Sequence, residues 1–189
     1  MKKLLIVALI VCISLLAGCS NSNNNSGSGL KEIKTSDLCV TNINLDAKIC
    51  YGDEKKKVET IVGEGEGSST LITYDNGIRV MYRGDKVAGV ILTEESDGVF
   101  ESVIDVSMGD SKKVIKDKLG NDNAIDTIAK NLDYFYDSDV KHFIKETSSN
   151  KKSTKEEMEK VYVISFLFDP AGKADTIMWL DWRMAMYLQ

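Results

Sequence analysis

The chain is short of the groups that most often carry chemistry. Its 189 residues hold one histidine, and only three of the 24 basic residues are arginine: Arg79, Arg83 and Arg183. His142 lies between Lys141 and Phe143 in a polar stretch, so a Ser-His-Asp or Cys-His assignment would hang a general base on a loosely held loop, where geometry fails before pKa matters. The formal charge is −5, which argues against a nucleic-acid partner, since such binding rests on a basic surface. No long hydrophobic run is present. The longest, Leu4 to Leu16, is about 13 residues against the roughly 20 needed to cross a bilayer as a helix. The one glycine-rich stretch, Gly63-Glu64-Gly65-Glu66-Gly67, follows a predicted helix instead of opening one and carries two acids, so it reads as a helix stop and turn, not a phosphate cradle.

What is present first is an address. Met1-Lys2-Lys3 is cationic, the apolar run follows, and Leu16-Ala17-Gly18-Cys19 closes it with small residues before a cysteine. This resembles the signal of bacterial lipoproteins over residues 1–19. The resemblance implies cleavage after Gly18 and a diacylglyceryl group on Cys19, with the mature chain held by lipid on the extracytoplasmic face of the cell membrane. Removal of Lys2 and Lys3 would take the formal charge from −5 to −7. Residues 19–29 have no apolar side chain to bury after the cysteine and read as a Ser/Asn/Gly tether. Residues 30–189 are long enough to bury a core. Of the four cysteines, Cys12 leaves with the signal and Cys19 is taken by lipid. Cys39 and Cys50, eleven positions apart, can be bridged in an export compartment or remain free, since sequence does not give their Cα separation. With His142 the only other soft ligand, neither metal nor cofactor is expected.

The domain reads as a unit written twice. Gly52-Asp53 opens a predicted helix closed by Gly63, and Gly109-Asp110 opens another closed by Gly120, at an offset of 57. After the first come predicted strands at 70–74, 78–83 and 86–93; after the second, at 132–137, 161–169 and 173–180, with turns at Asn76-Gly77, Gly84-Asp85 and Pro170-Ala171-Gly172. Repeat one spans about 44–100 and repeat two about 101–189, with an insertion at 138–160. Two further short helices are expected, one over 124–132 from the spacing of Ile125, Ile128, Ala129 and Leu132, one near Ser153 and Glu156. A capped helix ending in glycine followed by a strand meander, twice over, resembles the β-lactamase-inhibitor-protein-like (BLIP-like) family across about residues 46–183. That resemblance implies an α+β fold with the helices on one face of an antiparallel sheet.

No pair of acids is placed across a cleft by the sequence. Asp133, Asp137 and Asp139 lie close together, as do Asp122 and Asp126, but Ile125 sits where a calcium loop would need its third ligand, so these read as surface charge. The aromatics are more informative. Tyr134, Tyr136, Trp179 and Trp182 fall on predicted strands or their ends, with Arg79 and Arg83 as neighbours. They read either as core or as a recognition surface on an open sheet face, where Tyr and Trp give large contact area at low entropic cost. The expectation is a non-catalytic lipoprotein that binds a protein or peptide at the cell envelope through these residues. A structural scaffold or assembly factor of the envelope is the alternative, and a carboxylate-dependent hydrolase a third.

Overall fold

A computed structural model describes residues 29–146 and 152–188. The proposed signal, Cys19 and most of the tether lie outside the described residues. The architecture is α+β and its sheets are antiparallel. Among the described residues the strands are β1 (Cys39–Asn42), β2 (Ala47–Cys50), β3 (Glu66–Gly67), β4 (Leu71–Thr73), β5 (Arg79–Arg83), β6 (Lys86–Thr93), β7 (Phe100–Ser102), β8 (Asn131–Asp137), β9 (His142–Ile144), β10 (Val161–Phe168) and β11 (Ala174–Asp181). Among the described residues four α-helices, α1 (Lys55–Val62), α2 (Lys112–Leu119), α3 (Lys155–Met158) and α4 (Trp182–Ala185), and three single-turn 3-10 helices complete it.

An eight-stranded sheet runs β3-β4-β5-β6-β11-β10-β8-β9, and a small sheet runs β2-β1-β7. Period-two alternation gives each long strand two faces. On one face Val80, Val90, Leu92, Ile177, Trp179, Ile164, Phe166, Leu132 and Tyr134 form the main core with Val58 of α1, Ile115 and Leu119 of α2, and Val40, Ile49 and Phe100 of the small sheet. Both longer helices and the small sheet thus cover the same side. Burying an apolar side chain there is worth about 1.5–3 kcal/mol.

The two helix entries are built alike. Gly52 N donates to Val87 O at 2.8 Å and Val87 N to Asp53 O at 2.8 Å; Gly109 N donates to Ala174 O at 2.8 Å and Ala174 N to Asp110 O at 2.9 Å. Asp53 accepts from Cys50 N at 2.7 Å and Asp110 from Ser107 N at 3.0 Å. Each aspartate therefore closes the turn before its helix. It does not cap the helix amides, as the sequence suggests: the N-cap positions are Glu54, whose side chain makes no capping bond, and Ser111, whose hydroxyl accepts from Val114 N. Gly52 and Gly109, at φ 84° and 79°, occupy the left-handed region that a side chain would strain. Beyond the entries, β6 and β11, the last strand of each meander, pair at the centre of the sheet with Ile91 opposite Met178.

Three expectations are corrected. No helix forms over 124–132: Ile125 instead exchanges backbone hydrogen bonds with Asp133, at 2.8 and 3.0 Å, and Asn131 and Leu132 already belong to β8. The insertion is not wholly loop, because His142–Ile144 pairs with β8 as the sheet's edge. Its helix starts one residue later than the sequence suggests, with Thr154 and Glu157 forming the capping box.

Cys39 and Cys50 are opposite one another on β1 and β2 and are joined by a disulfide, with Cα atoms 4.1 Å apart. Closing a loop of this length removes enough unfolded-state entropy to stabilise the fold by about 3 kcal/mol. Reduction, or Cys39→Ser with Cys50→Ser, is expected to lower the urea midpoint accordingly. A midpoint unmoved by both treatments would show that the small sheet is held by packing alone.

Candidate functional site

The second face of the large sheet is where a site can exist. Read across the strands by register, its side chains form three rows. The first is Thr93, Thr176, Leu167 and Asn131; the second is Arg79, Ile91, Met178, Ser165 and Asp133; the third is Met81, Gly89, Leu180, Val163, Phe135 and Ile144. Among the described residues α4 roofs the third row and reaches Ile91 of the second. Met184 of α4 is buried among Met81, Leu180, Val163 and Phe135, and Trp182 meets Phe135 edge-on with ring centroids 5.9 Å apart. A Cβ at Gly89 would come within 2.7 Å of the Leu180 Cβ, so glycine is what lets these two strands bring Leu180 under the helix.

The first two rows, with Leu180, Val163 and Phe135 of the third along one side and Ala185 and Leu188 at the margin, line a cleft of about 530 Å³. Its floor is apolar, with Ile91 buried and Met178 half-buried. At one end Arg79 is exposed. At the other, Asp133 accepts a hydrogen bond from Asn131 Nδ2 at 2.9 Å, and Asn131 Oδ1 accepts from Ser165 Oγ at 3.3 Å. Four strand spacings separate Arg79 from Asp133, about 19 Å. Burial raises the Asp133 carboxyl above the ordinary aspartate range, and hydrogen bonds from Ser165 and Asn131 only partly oppose it.

That shift has a sign. A carboxyl whose folded-state pKa is raised favours the protonated fold, so its contribution to stability is present below the unfolded pKa and lost as pH rises through the folded one. Asp133→Asn, which has no charge to desolvate, is therefore expected to melt a few degrees higher than wild type at pH 7. The gap should close as pH falls to about 4. Equal melting temperatures across that range would show that Asp133 bears no desolvation cost.

The sequence-derived recognition residues are divided by the sheet. Tyr134, Tyr136 and Trp179 are all at least 97 % buried, on the helix-covered face, which corrects their placement on an open side. Tyr134 donates to Gly120 O at 3.0 Å, tying β8 to the end of α2. Tyr136 packs against Phe143 at 5.1 Å. Trp182 is half-buried at the start of α4, above the third row. Arg79 alone of the six lines the cleft.

Arg83 has a different task. Its Nη1 lies 2.5 Å from Asp181 Oδ2, its Nη2 donates to Tyr51 OH at 3.0 Å, and Tyr51 OH donates to the same Asp181 oxygen at 2.7 Å. Glu159 bridges Arg83 and Arg183. Burial works against the charge on Arg83, but Asp181 and Tyr51 outweigh it and hold the guanidinium still more firmly protonated. Burial, then Asp181, pushes the Tyr51 phenol up. These groups fasten α4 and leave Arg83 no freedom for a ligand.

The cleft's own residues, Ile91, Met178, Ser165 and Asp133, were not legible as a set. Each stands on a different strand, and only the pairing register brings them into line. Comparison of the chain with protein-family models, curated proteins and solved structures finds no match. Among the described residues no helix is long and apolar enough to cross a membrane.

Proposed function

We propose that this is a lipid-anchored, extracytoplasmic protein of the cell envelope that binds a protein or peptide on the open face of its sheet. The observation that carries the reading is the asymmetry of that sheet: one face is covered by α1, α2 and the small sheet, while the other keeps a cleft of about 530 Å³ with an apolar floor. A concave, largely apolar surface with a few polar groups is the usual form of a preformed binding site. The anchor rests on the sequence of residues 1–19.

The same reading includes a BLIP-like tandem repeat. It is supported by the matched hydrogen bonds at Gly52-Asp53 and Gly109-Asp110 and by the central pairing of the two closing strands, β6 and β11. A carboxylate hydrolase has less support. Asp133 and Asp137 are four residues apart on one strand, about 13 Å, whereas paired glycosidase acids stand about 5–9.5 Å apart. Asp137 is moreover occupied by Lys152 at 3.0 Å and by the amides of Asp139 and Val140.

The test has two arms. Lipid labelling of cells should mark the wild-type chain and not Cys19→Ser, and the variant should leave the membrane fraction. Affinity capture from envelope extract, with the full chain in detergent, should retain a partner that Met178→Lys and Leu167→Glu lose while remaining folded. A partner held equally by both variants would move the site off this face and favour a scaffold that contacts its complex elsewhere.

A further inference from the structure

The cleft is uneven in charge, and this bears on what it holds. Asp133 closes one end of an apolar row, half-buried, and is bonded only to neutral groups. Among the described residues no lysine or arginine pairs with it. Lys112, the base whose field reaches it, is already committed: its ammonium lies 2.5 Å from Asp126 and donates to Ile128 O at 2.8 Å. Arg79 is about 19 Å away along the row. The Arg79 end gives no cationic balance either, since Glu94, Glu95 and Asp175 share its shallow groove with Thr93 and Thr176. The open face is thus an apolar floor with acids at both ends and one arginine among them.

A carboxylate set into an apolar wall loses hydration that a neutral amide only partly restores. A cation delivered by a ligand would restore it, and would do so in a water-poor place where a charged hydrogen bond is strong. The negative balance of the chain, −5 in all, would also draw a basic partner toward it.

Resting on the peptide-binding reading of this face, we propose that the occupant is a basic, apolar peptide segment. It lays apolar side chains on Ile91 and Met178 and seats a lysine or arginine side chain on Asp133. The row's length, about 19 Å, accommodates about six residues of extended chain at 3.3 Å each. Arg79, with Thr93 and Thr176 beside it, would meet the other end of the segment, where backbone carbonyls suffice as acceptors.

The experiment pans a phage library of random dodecapeptides against the full chain in detergent micelles, with empty micelles as the counter-selection. The best binders are then titrated against wild type, Asp133→Asn and Met178→Lys. Enriched peptides should carry lysine or arginine next to apolar residues. Asp133→Asn should weaken them at least tenfold and flatten their salt dependence, and Met178→Lys should abolish binding. Peptides that Met178→Lys abolishes but Asp133→Asn leaves intact, or that are acidic, overturn the cationic occupant and spare the binding face. Peptides indifferent to Met178→Lys, or none enriched over empty micelles, overturn both.

Discussion

Trp179→Ala is expected to remove about 4 kcal/mol of stability, the range for truncating a fully buried aromatic, and to lower the melting temperature by on the order of 10 °C. Trp179 is 1 % exposed and sits on β11, at the centre of the sheet, between Val90 on β6 and Ile164 on β10. It lies in the core cluster that also contains Val58, Ile115 and Leu119 of the two longer helices. Its Nε1 has no acceptor among the described residues, so the ring serves by packing and not by a polar contact. A cavity here separates helices from sheet. Trp182→Ala, half-exposed beside Phe135, should cost much less. Thermal and urea unfolding of the two variants side by side decide the matter. Similar small losses in both would mean that the covered face can collapse around the gap, while a large loss confined to Trp182 would invert the assignment of faces.

The same residue shows why the sequence yields elements more readily than faces. The helices and meander strands are legible because their signals are local: glycine at Gly63 and Gly120 ends each helix with φ of 81° and 97°, and the turns at Gly84-Asp85 and Pro170-Ala171-Gly172 separate runs of β-forming residues. Which side of a strand is buried is a different question. In β11, Ile177 and Trp179 alternate with Met178 and Leu180, and both pairs are apolar. In β8, Tyr134 and Tyr136 flank Phe135. Alternation of one apolar residue with another carries no polarity signal, so hydrophobicity cannot orient the strand. Aromatic size suggests recognition, but a tyrosine whose hydroxyl reaches a backbone carbonyl, as Tyr134 does at Gly120, is equally at home inside.

The candidate site was hidden for a related reason. Arg79, Ile91, Met178, Ser165 and Asp133 become a row only through four pairings, one of which, β6 with β11, joins segments nearly ninety positions apart. The short strand β9 was missed because His142-Phe143-Ile144 is framed by Lys141 and Lys145, and its pairing comes from the exposed edge of β8, not from its own composition. Asp133 was visible only as one acid among several. What distinguishes it is burial without a cation, a property of the folded surroundings alone.

Asp181→Ala is expected to cost about as much as the loss of Trp179, about 4 kcal/mol, by a different route. Asp181 is fully buried, and its two oxygens serve different ends of the structure. Oδ2 takes Arg83 at 2.5 Å and Tyr51 OH at 2.7 Å, while Oδ1 accepts from Met184 N at 3.0 Å and so caps α4. Removing the carboxylate takes from Arg83, whose side chain is only 28 % exposed, its closest ion pair and leaves it Glu159 and Tyr51; breaking one side of a buried pair costs about 3–5 kcal/mol because the remaining charge keeps its desolvation penalty, and the retained Glu159 puts this case at the lower end. The lost cap adds about 1 kcal/mol and frees α4, so Trp182 should lose its seat on Phe135. The signature is a urea midpoint lowered together with a red-shifted tryptophan emission that begins before global unfolding. Removing both charges separates the causes: Arg83→Met with Asp181→Leu should recover most of the stability, since no orphaned ion remains, yet should leave α4 uncapped. If the double variant is no more stable than Asp181→Ala, the incompletely paired Arg83 is not the source of the loss. If Asp181→Ala costs under about 1 kcal/mol, Glu159 and water suffice for Arg83 and the Asp181 latch on α4 is dispensable.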